Sequence, residues 1–188
     1  MNVVFVAAHG AGSDMNHRGM RQIDEVLRPH GFDVVRFNFP YRERGSRVPD
    51  RMPVLIASFS KKVEEIRQNL DGRKLIIGGR SMGGRVASMM AAEGFPCDGL
   101  LLFAYPLHPA GKPDKLRDAH LPQIRVPVLC FNGTRDALCD RTLMETALSK
   151  VKAPWQMKWI EGKDHSFALT PDIGLTALKW GQTLFQQP

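Results

Sequence analysis

The chain has 188 residues, of which 43% are hydrophobic and 24% are charged, a composition that excludes a collagen-like fibre, a coiled coil and a disordered chain. This length predicts a single domain over residues 1–188. The formal net charge of +7 permits anionic ligands, but no aromatic-and-basic platform, zinc-finger spacing or basic heptad helix is present, so nucleic acid is not an expected partner.

Apolar runs of strand length alternate with segments of helical period. In chain order we predict strand 3–8, helix 20–27, strand 33–39, helix 59–70, strand 74–77, helix 85–93, strands 99–104 and 127–131, helix 138–151, strand 156–160 and helix 171–185. Only residues 105–125, with four prolines, form a long excursion. This alternation is typical of βαβ units and predicts a mostly parallel six-stranded sheet with helices on both faces and no cap domain.

A glycine-rich turn follows the third strand directly and precedes a helix. Its residues, Gly79-Arg80-Ser81-Met82-Gly83, fit the pattern G-x-S-x-G. In such a turn the serine has a strained backbone, and the glycines let neighbouring backbone approach without a Cβ clash. A chance Gly-Ser-Gly turn would not require the strand and helix on either side, so we predict that Ser81 is a nucleophile.

A serine hydroxyl needs a base to take its proton and a carboxylate to orient that base. His165 follows the sixth strand and Asp136 follows the fifth, and loops after parallel strands meet at one edge of a sheet. Asp140, Asp164 and Glu161 are alternatives for the acid. Asp140 falls in the next predicted helix and the other two lie beside the histidine, so Asp136 is the preferred acid.

Acyl transfer also needs hydrogen-bond donors for the developing oxyanion. The expected donors are the backbone N–H of Met82, which follows the nucleophile, and an N–H from the loop after the first strand, His9-Gly10-Ala11-Gly12. Ala11 is the preferred second donor and Gly10 the near alternative. By itself the loop also fits a plain strand-to-helix turn.

Other residues at the same edge are candidates for the wall of a substrate pocket. Gly10 follows the first strand, while Tyr105 and His108 follow the fourth. Arg42 belongs to an arginine cluster after the second strand, which either is solvated or attracts an anionic acyl or leaving group. The cluster consists of Arg36, Arg42, Arg44, Arg47 and Arg51.

With these residues the chain resembles an α/β-hydrolase over essentially its whole length. Phe39-Pro40-Tyr41-Arg42 and Tyr105-Pro106-Leu107-His108-Pro109 are similar to motifs of small, lidless hydrolase-like proteins akin to the testis-expressed group and, more distantly, to dienelactone hydrolases. The resemblance implies a serine hydrolase that cleaves an ester or thioester of a small or accessible acyl group through an acyl-enzyme. Dienelactone hydrolases carry a cysteine where this chain has Ser81, so their substrate does not transfer.

Two rival functions keep the same fold. One is a non-catalytic scaffold that binds a protein partner, and the other is acyl transfer to a nucleophile other than water.

The remaining residues suggest neither a metal nor a cofactor, because no His, Cys and carboxylate residues cluster along the chain. Three cysteines, none in a CxxC pair, are too few for a disulfide framework, and the chain shows no signal-peptide pattern and no apolar run of about 18 residues. We therefore expect a cytoplasmic protein without a membrane span. His17, His30 and His120 are expected to be solvated.

Overall fold

Six strands and six α-helices lie along residues 2–185, the part of the chain that the computed structural model describes. The strands are β1 (Val3–Ala8), β2 (Phe32–Phe37), β3 (Lys74–Arg80), β4 (Gly99–Phe103), β5 (Val128–Gly133) and β6 (Trp155–Ile160). The helices are α1 (Arg18–Leu27), α2 (Pro40–Glu43), α3 (Met52–Arg67), α4 (Met82–Ala92), α5 (Arg141–Leu148) and α6 (Pro171–Thr183). Short 3-10 turns lie at Arg28–His30 and Leu121–Gln123.

All six strands pair in parallel, in the order β2-β1-β3-β4-β5-β6, which confirms the predicted sheet. The chain leaves β1 toward β2 on one side and later returns to β3 on the other. The strand order therefore reverses beside β1, and the loops after β1 and β3 diverge there to leave a crevice at the carboxyl ends. The register places Ala8, the last residue of β1, opposite Gly79.

The sheet is buried on both faces, as a parallel sheet requires. Val4 and Val6 of β1 belong to the apolar core beneath α3, α4 and α5, whereas Val3 and Phe5 belong to the core beneath α1 and α6. This alternation follows from the two-residue period of a strand.

Several predicted boundaries differ from the observed ones for identifiable reasons. β2 ends at Phe37 rather than at residue 39, because Pro40 starts the short α2, in which its missing N–H is harmless. α5 begins at Arg141 rather than at 138, because the Asp140 side chain caps it by accepting from Leu143 N–H. Residues 105–125 contain only a single 3-10 turn and add no cap domain.

No helix within residues 2–185 combines the length and the apolar character needed to cross a membrane.

Candidate active site

Ser81 lies in a sharp turn between β3 and α4. Its backbone angles are φ 51° and ψ −118°, a region that residues with a side chain rarely occupy. The turn is held by hydrogen bonds from Ser81 N–H to the carbonyl of Phe103 (2.9 Å) and from Arg85 N–H to the carbonyl of Ser81 (3.0 Å). Strain of this kind at one residue is the property that the G-x-S-x-G turn predicts.

The two glycines of the motif make room for the end of β1. A Cβ on Gly79 would lie 2.0 Å from the carbonyl oxygen of Ala8, and a Cβ on Gly83 would lie 2.2 Å from the same oxygen. Gly10 is close as well, since a Cβ there would be 3.4 Å from the Cβ of Ser81. The spacing of the motif is thus a packing requirement that brings the loop after β1 against the serine.

Ser81, His165 and Asp136 form one chain of hydrogen bonds. The Nε2 atom of His165 lies 2.8 Å from Ser81 Oγ. Its Nδ1 atom lies 2.8 and 3.0 Å from the two carboxylate oxygens of Asp136. An ionised carboxylate can only accept, so Nδ1 carries the hydrogen and Nε2 is free to accept the serine proton. The imidazole is 26% exposed and reachable by substrate, while the Asp136 side chain is fully buried.

Asp136 is held by two further donors. The backbone N–H of Leu138 donates to its Oδ1 (2.8 Å), and Nδ2 of Asn132 donates to its Oδ2 (3.2 Å). Asn132 is fully buried at the end of β5, where its side chain also accepts from Tyr105 N–H (2.9 Å) and donates to the Tyr105 carbonyl (3.1 Å). Sequence reasoning missed Asn132. The available signal was an amide in an otherwise apolar strand, because a buried amide needs partners.

The three alternative acids make other contacts. Asp140 caps α5. The Oδ1 atom of Asp164 accepts from Ser166 N–H at 2.8 Å. Glu161 accepts from the hydroxyl of Thr134 at 3.2 Å. Within residues 2–185, Asp136 is the carboxylate that hydrogen-bonds the imidazole.

The two predicted oxyanion donors are the backbone amides of Met82, the residue after Ser81, and of Ala11, which lines the same cavity as Ser81. Met82 is the first residue of α4, so its N–H has no partner inside the helix. The carbonyl of Gly10 accepts from the side chain of His9 (2.8 Å) and from Ser13 N–H (3.2 Å). The Gly10 carbonyl and the Ala11 N–H belong to the same trans peptide, in which the two groups point in opposite directions. The Ala11 N–H is therefore directed away from the donors on His9 and Ser13.

His9 fixes this loop and was not predicted to do so. Its ring is completely buried, and Nε2 accepts from Phe39 N–H (3.1 Å). Nδ1 must therefore carry the hydrogen that is donated to Gly10. Burial lowers the pKa of His9, which keeps the ring neutral in this role.

A cavity of about 410 Å³ opens over these groups. Among its lining residues are Gly10, Ala11, Arg80, Ser81, Leu138 and His165. The predicted pocket residue Gly10 is thus in place beside the predicted nucleophile and base.

Tyr105 and His108 do not line this cavity, which corrects the prediction that they form its wall. The backbone N–H of Tyr105 donates to the Asn132 side chain, and the Tyr105 side chain is fully buried. His108 is also buried, and its Nε2 accepts from Asp140 N–H (3.0 Å). Both side chains stabilise the excursion at 105–125 rather than the cavity.

His120 is not solvated as predicted. Its Nε2 lies 2.8 Å from Ser88 Oγ and 3.2 Å from the hydroxyl of Tyr105. Burial lowers the pKa of His120 to about 4, so the ring is neutral near pH 7. This second Ser-His contact joins residues 105–125 to α4, and the complete burial of Ser88 removes it from substrate.

The arginine cluster is largely neutralised by carboxylates, and Arg42 does not line the cavity. Three of its members form ion pairs: Arg42 with Asp14 (3.2 Å), Arg36 with Asp24 (2.8 Å) and Arg44 with Asp50 (2.7 Å). Asp14 belongs to the loop after β1. Arg42 is therefore tied to that loop by its ion pair, and its contact with an anionic substrate stays a prediction.

Burial raises the pKa of Cys97 and Cys139 to about 12, so both remain protonated thiols near pH 7. Between residues 2 and 185 no three His, Cys, Asp or Glu side chains cluster as metal ligands would.

The fold is similar to those of several solved hydrolases. An α/β serine hydrolase without a lid from Xanthomonas campestris has a TM-score of 0.75 and 20% identity, over 98% of this chain and 82% of the other. Dienelactone hydrolase from Anabaena variabilis has a TM-score of 0.69 and 21% identity, over 98% and 85% of the two chains. Est1E from Butyrivibrio proteoclasticus, solved with ferulic acid, has a TM-score of 0.79 and 14% identity, over 98% and 90%.

At these identities the likenesses show the fold alone, and they confirm the resemblance to lidless α/β-hydrolases. A model of the alpha/beta hydrolase domain family matches residues 1–187. Because this match spans almost the whole chain and agrees with the observed sheet, the chain belongs to the alpha/beta hydrolase domain family.

Proposed function

We propose that this protein is a serine hydrolase that cleaves an ester or thioester of a small or accessible acyl group through an acyl-enzyme. The observation that carries the proposal is the hydrogen-bonded chain from Ser81 Oγ through His165 to Asp136. Each link has the length of a formed hydrogen bond, so the nucleophile, the base and the orienting acid are already in register.

In the first half-reaction, His165 Nε2 takes the Ser81 proton as Oγ attacks the carbonyl carbon. The oxyanion forms beside the N–H groups of Met82 and Ala11, which stabilise its charge. When the tetrahedral intermediate collapses, the bond to the leaving group breaks and Nε2–H gives its proton to that group. The imidazolium that forms in between is stabilised by Asp136, which stays ionised.

In the second half-reaction, water takes the place of the leaving group. His165 removes a proton from water, the hydroxide adds to the acyl carbonyl, and collapse returns the proton to Ser81 Oγ as the acid departs. The cavity of about 410 Å³ is open, since residues 2–185 form no cap domain over it. A site of this volume favours short or accessible acyl groups over long lipid chains.

The test is covalent labelling by a fluorophosphonate. Attack by Ser81 Oγ forms an O–P bond, fluoride leaves and the serine proton passes to His165. The intact mass of the wild type should rise by one adduct, and that of Ser81→Ala should not change. Ser88→Ala is the matched control, because Ser88 also hydrogen-bonds a histidine but is fully buried.

Labelling that persists in Ser81→Ala would contradict the assignment of the nucleophile. A folded wild type that takes no label and hydrolyses no ester would favour the non-catalytic scaffold that binds a protein partner. If an amine or alcohol is added to the reaction and the acyl group passes to it instead of to water, the result would indicate acyl transfer. The free thiols of Cys97, Cys130 and Cys139 support a reducing compartment, and we propose the cytoplasm.

A further inference from the structure

A smaller cavity adjoins the one above Ser81. It has a volume of about 200 Å³, and the residues that line it include His17, Arg18, Gly19, Gln22, Arg80 and Ser166. We call it the α1 pocket, because it lies at the start of that helix. His17, Arg80 and Ser166 line both cavities, so a ligand that extends from the nucleophile can enter the α1 pocket.

Arg80 brings a charge into the α1 pocket that no carboxylate neutralises. Its side chain is buried, with 9% of the residue exposed. The Nη2 atom donates to the carbonyls of His165 (3.1 Å) and Phe167 (2.8 Å). The Nη1 atom is buried without a hydrogen-bond partner, and within residues 2–185 Arg80 forms no ion pair.

The guanidinium faces a second positive centre, the N-terminus of α1. A Cβ on Gly19, in the first turn, would lie 3.4 Å from Arg80 Nε and 3.5 Å from Nη1. That turn contains no acidic residue and starts with Arg18, and its cap is the side chain of His17, which accepts from Gly19 N–H at 3.2 Å. A helix N-terminus attracts anions through its aligned peptide dipoles. Two positive centres this close repel each other, and an anion between or beside them relieves that repulsion.

The nearest carboxylates are occupied elsewhere. Asp136 binds His165, and Asp164 accepts from the backbone of Ser166. Burial lowers the pKa of Arg80, and the charges of Asp136 and Asp164 raise it by a smaller effect. The guanidinium of arginine remains protonated in proteins, so the site keeps its positive charge.

We propose that the α1 pocket binds a carboxylate group of the substrate, with the Arg80 guanidinium and the start of α1 as its partners. The inference rests on the proposed hydrolase and names its substrate class as esters or thioesters that carry a carboxylate near the scissile bond. Arginine binds carboxylates through charge-assisted hydrogen bonds, which are stronger than neutral ones. Arg80 also holds the loop of His165, so the same residue links substrate charge to the position of the base.

The test compares esters that differ only in carboxylate against carboxamide. One pair varies the acyl part, p-nitrophenyl glutarate against its glutaramate analogue. The other varies the leaving group, 4-carboxyphenyl against 4-carbamoylphenyl butyrate. The wild type should favour the carboxylate in at least one pair, by about tenfold or more in kcat/KM, the size of one charge-assisted hydrogen bond.

Arg80→Gln should remove this preference for the carboxylate. It should do so even if the substitution also lowers kcat/KM for every ester by displacing the loop that carries His165. Arg21→Gln is the control, because Arg21 is exposed on the same helix, carries the same charge and does not line the α1 pocket. Its preference should stay at the wild-type value. The inference is wrong if the wild type shows no preference in either pair, or if the preference survives Arg80→Gln.

A binding measurement separates this inference from the proposed function. The Ser81→Ala variant cannot hydrolyse an ester, and in it glutarate should shift the amide NMR signals of Arg18, Gly19 and Gln22. The double variant with Arg80→Gln should show no such shifts. Absent shifts together with unselective ester hydrolysis would refute the α1 pocket and leave the hydrolase intact. Shifts without any labelling of Ser81 would support the carboxylate site and refute the hydrolase.

Discussion

Replacement of Asn132 by alanine tests whether this buried amide supports the acid of the triad. The side chain makes hydrogen bonds to Tyr105 N–H, to the Tyr105 carbonyl and to Asp136 Oδ2. Asn132→Ala leaves these three groups without their partner, together with the Cys130 thiol that donates to Asn132 Oδ1 at 3.3 Å, and Asn132 itself is fully buried. A buried polar group that loses its partner destabilises a protein by about 1–3 kcal/mol.

The Tyr105 carbonyl and the Asp136 carboxylate can gain another hydrogen-bond partner more easily than the Tyr105 N–H can. The destabilisation per lost partner therefore need not apply in full to each of these groups. We expect the free energy of unfolding to fall by about 3–5 kcal/mol, and kcat to fall by about tenfold as Asp136 loses one donor. Urea denaturation measures the first quantity, and ester hydrolysis well below the midpoint measures the second.

Asn38→Ala is the matched control. The Asn38 side chain accepts one hydrogen bond, from Met15 N–H at 2.8 Å, and the residue is only half-buried. Its loss should reduce the free energy of unfolding by about 1 kcal/mol and leave kcat within about twofold. If Asn132→Ala is no less stable than Asn38→Ala, the reasoning about the buried amide is refuted.

Three further predictions concern the site and its surroundings. Asp136→Asn should lower kcat by up to about 10⁴-fold without changing the fold, because the amide favours the wrong imidazole tautomer. An equal loss of kcat in Asp140→Asn would show that the acid is misassigned. Gly83→Ala should yield little folded protein by circular dichroism, because its Cβ would lie 2.2 Å from the Ala8 carbonyl oxygen, and a native melting curve would contradict this packing. The pKa of His120 is lowered to about 4 in the folded protein, so as pH falls the unfolded chain binds a proton first. The free energy of unfolding should therefore decrease from about pH 6.5 towards pH 4. Urea titrations at each pH should show a weaker pH dependence of this free energy in His120→Gln.

Local patterns predicted much of the site because the fold is built from parallel strands. Every such strand delivers its following loop to the same edge of the sheet. Ser81, Asp136 and His165 each follow a strand, so their proximity could be predicted without knowing the strand order. The glycines of the motif also carried local information, since they mark backbone that other chain segments approach.

The misplaced residues show where that reasoning stops. Tyr105, His108 and Arg42 also follow strands, yet the structure directs them to other partners. Which way a side chain turns at the edge depends on distant groups, such as Asn132 for Tyr105 and Asp14 for Arg42. No local pattern encodes those partners.

The sequence by itself determined the fold class and the candidate nucleophile, base and acid, because periodicity and turn chemistry act over a few residues. Only the tertiary structure decided which groups hold that machinery: Arg80 reaches the carbonyls of His165 and Phe167, 85 and 87 residues away along the chain. The physical reason is that burial and the saturation of hydrogen bonds are properties of packed surroundings, which form when distant segments meet.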